Sequence, residues 1–190
     1  MYGTPCLHNI RTPLQDSGFR ARCAREVVDG GQVRLEKIMN IVSESRYGVH
    51  DISRTALDQH NALPRFNMPL ELGIDLGCKR FGVGRHRSKV FLIMDSDRFR
   101  YQKFISDIAG QDIHSHTGDP KQAGRGVRDW LNANSGGTNI PSGSKIYERY
   151  ESFRQDIPAL CNDAQFDIKE LTFLDLSFLI AEWLKAHGRF

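Results

Sequence analysis

A chain of 190 residues with 39% hydrophobic and 26% charged side chains is long enough for one domain with a core and a small helical addition, and ordinary for a soluble protein. The formal net charge of +3 is mild and evenly spread, which argues against nucleic acid, and the runs Lys79-Arg80 and Arg85-His86-Arg87 read as solvated loop charges. No apolar run nears the ~20 residues that span a bilayer, the start has no signal-peptide core, and Cys6, Cys23, Cys78 and Cys161 form no CxxC pair, so a reduced cytoplasmic protein with no membrane contact is expected.

Residues 1 to 17 carry two prolines and no periodicity. GFRARCA (18 to 24) alternates like a strand, and DGGQ turns the chain. Val33, Leu35, Ile38, Met39, Ile41 and Val42 are spaced for the buried face of a helix. RYGVHDIS (46 to 53) reads as a short buried strand, followed by a polar loop from Arg54 to about Phe66. Asn67 is placed to cap a helix over 68 to 78, with Pro69 in its first turn and Gly73 and Gly77 permitting close packing. KVFLIMDSD (89 to 97) is the clearest strand of the chain. Tyr101, Phe104, Ile105 and Ile108 predict a helix ended by Gly110, QDIHSHT (111 to 117) a further strand, and Asp119-Pro120 the opening of a helix that buries Val127, Trp130 and Leu131.

This alternation of strand and helix predicts an α/β fold over 1 to 134, a parallel sheet of about four to five strands flanked by helices in three layers. NSGGTNIPSGS (134 to 144) reads as a linker to a helical extension over 141 to 190. Ile146, Tyr150, Phe153 and Ile157 form one stripe there. Thr172 and Asp175 make a capping box, Leu171 and Leu176 a staple, and Phe178, Leu179, Trp183 and Leu184 are expected to point inward.

Ligands of open parallel sheets bind beyond the carboxyl ends of the strands. Two polar clusters fall there: His50, Asp51, Ser53 and Arg54, then Asp95, Ser96 and Asp97. Glu71 is expected in the first helical turn near the same edge, where the helix dipole favours its ionised form. Such a carboxylate can attack an anomeric carbon or steady an oxocarbenium-like transition state, with Asp51 orienting the leaving base. An acid at a helix start also stabilises the helix and nothing more. Asp95 and Asp97 with Asp51 suit Mg²⁺ and a nuclease, or a plain solvated turn. His114 and His116 share one side of a strand, but no neighbouring Cys or acid completes a metal set. His50 fits a general acid or base, or a local hydrogen-bond partner. The stretch GCKRFGVG matches no phosphate loop, and no motif calls for a cofactor.

HDIS followed by NMPLELG resembles the signature of the nucleoside 2-deoxyribosyltransferase-like superfamily, which has an acidic strand end, then Asn, three residues and Glu-Leu-Gly. The resemblance implies Glu71 and Asp51 as catalytic carboxylates and Asn67, Ser53, His50 and Asp95 as substrate contacts. TIR-like NAD-cleaving domains are similar in fold and carry a Glu on the comparable helix. From Gly18 onward the chain resembles more closely an uncharacterised bacterial family with RYGxHDLSR, LPRFNMPLELG, YRYQKFISDIAGQDI and LTF…AEWL. The matching stretches here are RYGVHDISR, LPRFNMPLELG, FRYQKFISDIAGQDI and LTFLDLSFLIAEWL. The superfamily opens on a strand and polar loop of the type VFINCPFD, where this chain has MYGTPCLHNIRTPL. The expected activity is hydrolysis or transfer at an N-glycosidic bond of a nucleoside, nucleotide or NAD, in a homo-oligomer. A non-catalytic nucleotide-sensing module is the alternative.

Overall fold

The structure is a computed structural model that describes residues 5–55, 66–136 and 140–188, with side chains from residue 11 onward. Most of the polar loop expected from Arg54, three residues of the linker and the Cys6 side chain lie outside the described residues. Strands β1 (Tyr47–Asp51), β2 (Val90–Asp95) and β3 (Ile113–Ser115) form a parallel sheet in the order β1-β2-β3. The α-helices among the described residues are α1 (Pro5–Asp16), α2 (Arg34–Glu44), α3 (Asn67–Phe81), α4 (Pro120–Asn134), α5 (Gly143–Asp163) and α6 (Phe173–Ala186). The class is α/β with a parallel, helix-flanked sheet, but the sheet has three strands among the described residues rather than four to five.

The missing strand is the one expected at 18 to 24. That segment alternates, but alternation becomes a strand only beside an open sheet edge, and here local contacts hold it. Arg22 pairs with Glu26, and the Glu26 amide donates to the Cys23 carbonyl (3.0 Å). Residues 5–16, where the resembled superfamily has its first strand, form α1.

The chain divides into two units: Asp29–Gly126, which holds the sheet, and Met1–Val28 with Val127–Phe190, which is helical. The N-terminal residues thus group with the C-terminal helices, not with the sheet as expected. In the sheet unit, α3 packs on β1 and α2 packs on α3. Ile52, Leu72, Ile93 and Tyr101 form the core on the α3 side, joined by Met68, Leu76, Phe104, Ile108 and Ile113. The helix expected across 101 to 108 is instead two 3₁₀ turns, Arg100–Lys103 and Ser106–Ile108. Phe99 precedes it in the left-handed region at φ 65°, and the break falls at Phe104 and Ile105, which leave helical φ at −138° and −141°. Residue Gly126 of α4 comes against β3 so closely that a Cβ there would stand 2.4 Å from His114 Nε2. The α2 face was expected to be buried, yet Val42 alone is; Val33, Leu35 and Met39 are exposed.

In the helical unit, α1 packs on α5 and α6, and α5 on α6. Phe153, Cys161, Leu176, Leu179, Ile180, Trp183 and Leu184 are buried together. The Trp183 ring meets Phe153 edge-on at 5.8 Å, donates from Nε1 to Asp156 Oδ2 (2.7 Å) and stacks on His187 at 4.0 Å. The capping box forms as expected: the Asp175 amide donates to Thr172 Oγ1 (3.2 Å) and the Thr172 amide to Asp175 Oδ2 (2.8 Å). Phe178 does not point inward; it is 52% exposed, with its ring edge toward Phe166. Arg128 ties down the end of the linker, donating to the carbonyls of Ile140 and Pro141 (both 2.7 Å). Among the described residues no helix is long and apolar enough to cross a membrane.

Candidate functional site

Successive residues of a strand point to opposite faces, so the neighbours His50 and Asp51 at the end of β1 serve different faces of the sheet. His50 shares the α3 face with Ile52 and Ile93, its register partner. There the ring, 5% exposed, contacts Asp75 of α3 through Nε2 and Oδ2 at 3.0 Å. Asp75 is buried too, and its Oδ1 sits 3.0 Å from the Lys89 ammonium. Lys89 is 1% exposed and also donates to the carbonyls of Val42 (2.6 Å) and Ser45. The approach of helix to strand leaves room for glycine alone at position 48, since a Cβ there would lie 2.4 Å from Asp75 Oδ2.

Glu71 lies one helical turn before Asp75 and is half-buried. Helix α3 begins at Asn67 with Phe66 as its N-cap and no side-chain cap bond, so Glu71 is in the second turn and Asn67 does not cap. This changes the electrostatic expectation. Beyond the first turn the dipole fades, and burial pushes the Glu71 carboxyl above its ordinary value, partly offset by electrostatic interaction with His50 and Arg34.

On the other face, Asp51 Oδ1 accepts from the Ser53 amide (3.0 Å) and meets His116 Nε2 at 3.3 Å. The chain reaches His116 directly from β3, whose ladder is continued by the His116 amide donating to the Asp95 carbonyl (3.0 Å). The Gly118 amide donates to His116 Nδ1 (3.1 Å), which leaves Nε2 as the nitrogen that carries a proton toward Asp51. His116 is 4% exposed. Its pKa is raised from 6.5, first by the bond to Asp51, with burial opposing and the charges of Asp51 and Asp95 adding.

Asp95 is fully buried, and Arg100 donates to its Oδ1 from Nε (2.8 Å) and Nη2 (2.5 Å). The Ser96 amide donates to the same oxygen (2.7 Å), while Arg100 Nη2 also reaches the Ile52 carbonyl (2.9 Å). Asp97 is exposed and accepts from Ser96 Oγ (2.8 Å). The guanidinium thus fills the position beside Asp95 that a cation shared with Asp97 would need. Among the described residues no group of three or more His, Cys, Asp or Glu side chains is placed to hold a metal ion.

Of the expected site residues, the structure brings Asp51 together with Ser53, and His50 into the charge field of Glu71. It assigns Asp51 and Glu71 to opposite faces of the strand end, Asp51 against His116 and Glu71 on the α3 side, rather than facing one another. Arg54 and Asn67 are exposed. Asp75, Lys89, Arg100 and the pairing of His116 are the polar partners that pattern reading missed. Only Asp75 left a trace in the sequence, as a charge within the apolar stripe Met68, Leu72, Leu76. Comparison with protein-family models, curated protein sequences and solved structures finds no match to this chain.

The Asp51–His116 couple makes a pH prediction. A histidine whose folded pKa is raised contributes its stabilisation fully below the ordinary 6.5 and loses it as pH rises through the folded value. The melting-temperature gap between the parent and His116→Gln is therefore expected to be widest in mild acid and to narrow with rising pH. A gap that is flat or widens toward alkaline pH contradicts the pairing.

Proposed function

We propose that this protein binds a nucleoside, a nucleotide or NAD over the carboxyl end of β1 and hydrolyses or transfers at its N-glycosidic bond. The observation that carries this reading is the half-buried Glu71 carboxyl on α3, one turn before the Asp75 that holds His50, at the sheet edge where parallel α/β folds take ligands. Burial raises its basicity, which suits a carboxylate that attacks the anomeric carbon or balances an oxocarbenium charge. His50 is held from behind by Asp75, so its ring has a fixed orientation toward the same region. As the C1′–N bond breaks, its electron pair leaves with the base. The leaving nitrogen takes its proton from solvent, because the His116 Nε2 proton is directed to Asp51 and its Nδ1 accepts from the Gly118 amide. Water, or an acceptor base, then takes the sugar. Ser53, Asn67 and Asp51 are the contacts to ribose and base that the motif resemblance suggests, and the same resemblance is the ground for a TIR-like or flavodoxin-like arrangement.

The test is incubation of the purified chain with NAD and a nucleoside panel, with and without acceptor base, reading released base by chromatography. Glu71→Gln is expected to lower release by about 100-fold or more, the size of effect typical for loss of a group that meets transition-state charge. Release that persists in the variant overturns the role of Glu71. The placement of Asp51 and Glu71 on opposite faces favours a second reading, a nucleotide-sensing module without turnover. Its mark is a nucleotide-dependent rise in melting temperature with no base released.

A further inference from the structure

We propose that the loop joining α3 to β2 is a docking surface for anionic phospholipid bilayers, entered by Phe81 and Val83. Between Asp75 and Asp95 the chain has five cations, Lys79, Arg80, Arg85, Arg87 and Lys89, and no acid. Lys89 is neutralised inside the fold by Asp75. The other four are exposed, and together they exceed the net charge of +3 of the whole chain. Among the described residues no carboxylate pairs with them. Arg87 Nε donates to the Gly82 carbonyl at 3.3 Å, and Lys79 Nζ lies 5.3 Å from the Phe91 ring centre.

Phe81 and Val83 stand between these cations, 85% and 71% exposed. Gly82, between the two, ends α3, and a Cβ there would come within 2.3 Å of the Cys78 carbonyl. The last residue of the helix and the first of the loop therefore both project while the backbone turns. Two apolar tips ringed by positive charge match the boundary between lipid headgroups and acyl chains, where the tips enter the apolar layer and the cations meet lipid phosphates. A single-stranded nucleic acid fits less well, because it rewards stacking rings and Val83 offers none. The loop precedes β2, so it sits at the amino edge of the sheet, away from the strand ends that carry Asp51 and Asp95. The proposal is therefore independent of the activity argued above, and surface contact needs no membrane-spanning helix.

The experiment is co-sedimentation of the full chain with vesicles of phosphatidylcholine alone and of phosphatidylcholine mixed with phosphatidylglycerol, at low and high salt. Binding is expected on the mixed vesicles only, and weaker at high salt. The double change Arg85→Glu with Arg87→Glu is expected to lower it by about 25-fold or more, from the loss of two surface cations. Phe81→Ser with Val83→Ser is expected to lower it about tenfold, with the circular-dichroism melt unchanged because both side chains are exposed. Failure to bind the mixed vesicles, equal binding to neutral ones, or binding indifferent to Phe81 and Val83 overturns the proposal. So does capture of a single-stranded RNA oligonucleotide, sensitive to the arginine changes, in place of vesicle binding.

Discussion

Asp75→Ala is expected to cost the protein about 3–5 kcal/mol, because it strands the Lys89 ammonium in the interior without its counter-charge. Lys89 is 1% exposed, and what remains to it are the carbonyls of Val42 and Ser45, which satisfy protons but not charge. The same change releases the His50 ring from its 3.0 Å contact. Domains of this kind are stable by about 5–15 kcal/mol in all, so a large part of that margin disappears. Urea denaturation of the parent and the variant measures it. Combining Asp75→Asn with Lys89→Met is expected to be milder than Asp75→Ala alone, since no charge is then left buried. If Asp75→Ala unfolds within about 0.5 kcal/mol of the parent, as an ordinary surface change does, the contacts of Asp75 to Lys89 and His50 are not what holds α3 in place.

Trp183→Ala is expected to be similarly severe in the helical unit, at about 3–5 kcal/mol for removal of a buried aromatic ring. The ring is 3% exposed, lies edge-on to Phe153 and is packed among Leu179, Ile180 and Leu184. Its Nε1 proton is separately satisfied by Asp156 at 2.7 Å. Asp156→Ala isolates that bond and should cost only about 1 kcal/mol. The difference between the two variants in thermal melting measures the packing of the ring. A Trp183→Ala loss no larger than the Asp156→Ala loss contradicts the described core.

The strands that hold the sheet could be read from the sequence because their patterns are short, apolar and bounded by polar residues. RYGVHDIS contains β1, KVFLIMDSD contains β2 and QDIHSHT contains β3. The C-terminal helices were equally legible, since the Thr172–Asp175 box is a local device that needs no knowledge of the rest of the chain. What failed depended on distant partners. GFRARCA has the period of a strand but forms none, with Arg22 paired to Glu26. The stripe from Tyr101 to Ile108 has the period of a helix, yet Arg100 turns back to the buried Asp95 and the Ile52 carbonyl, and the backbone breaks at Phe104 and Ile105. Tyr101 is still core, as its pattern indicated.

The site shows the same division. Acids at strand ends are visible in a sequence, and Asp51 and Asp95 do end β1 and β2. Which partner each acquires is not visible, because it depends on which strands become neighbours and which face each residue takes. Asp51 acquires His116 from across the sheet, and Asp95 acquires Arg100. A cap at Asn67 puts Glu71 in the first turn of its helix. The actual start is one residue earlier than a cap at 67 would allow, and burial rather than the dipole governs its carboxyl.

The stacking of Trp183 on His187 has a practical consequence for spectroscopy. Both tryptophans of the chain, Trp130 and Trp183, belong to the helical unit, and Asp29–Gly126 contains none. Indole emission therefore arises from residues of that unit, and the imidazole stacked 4.0 Å from the Trp183 ring is positioned to quench it. A loss of the β-sheet signal in circular dichroism that leaves indole fluorescence untouched would reveal the sheet unit coming apart by itself.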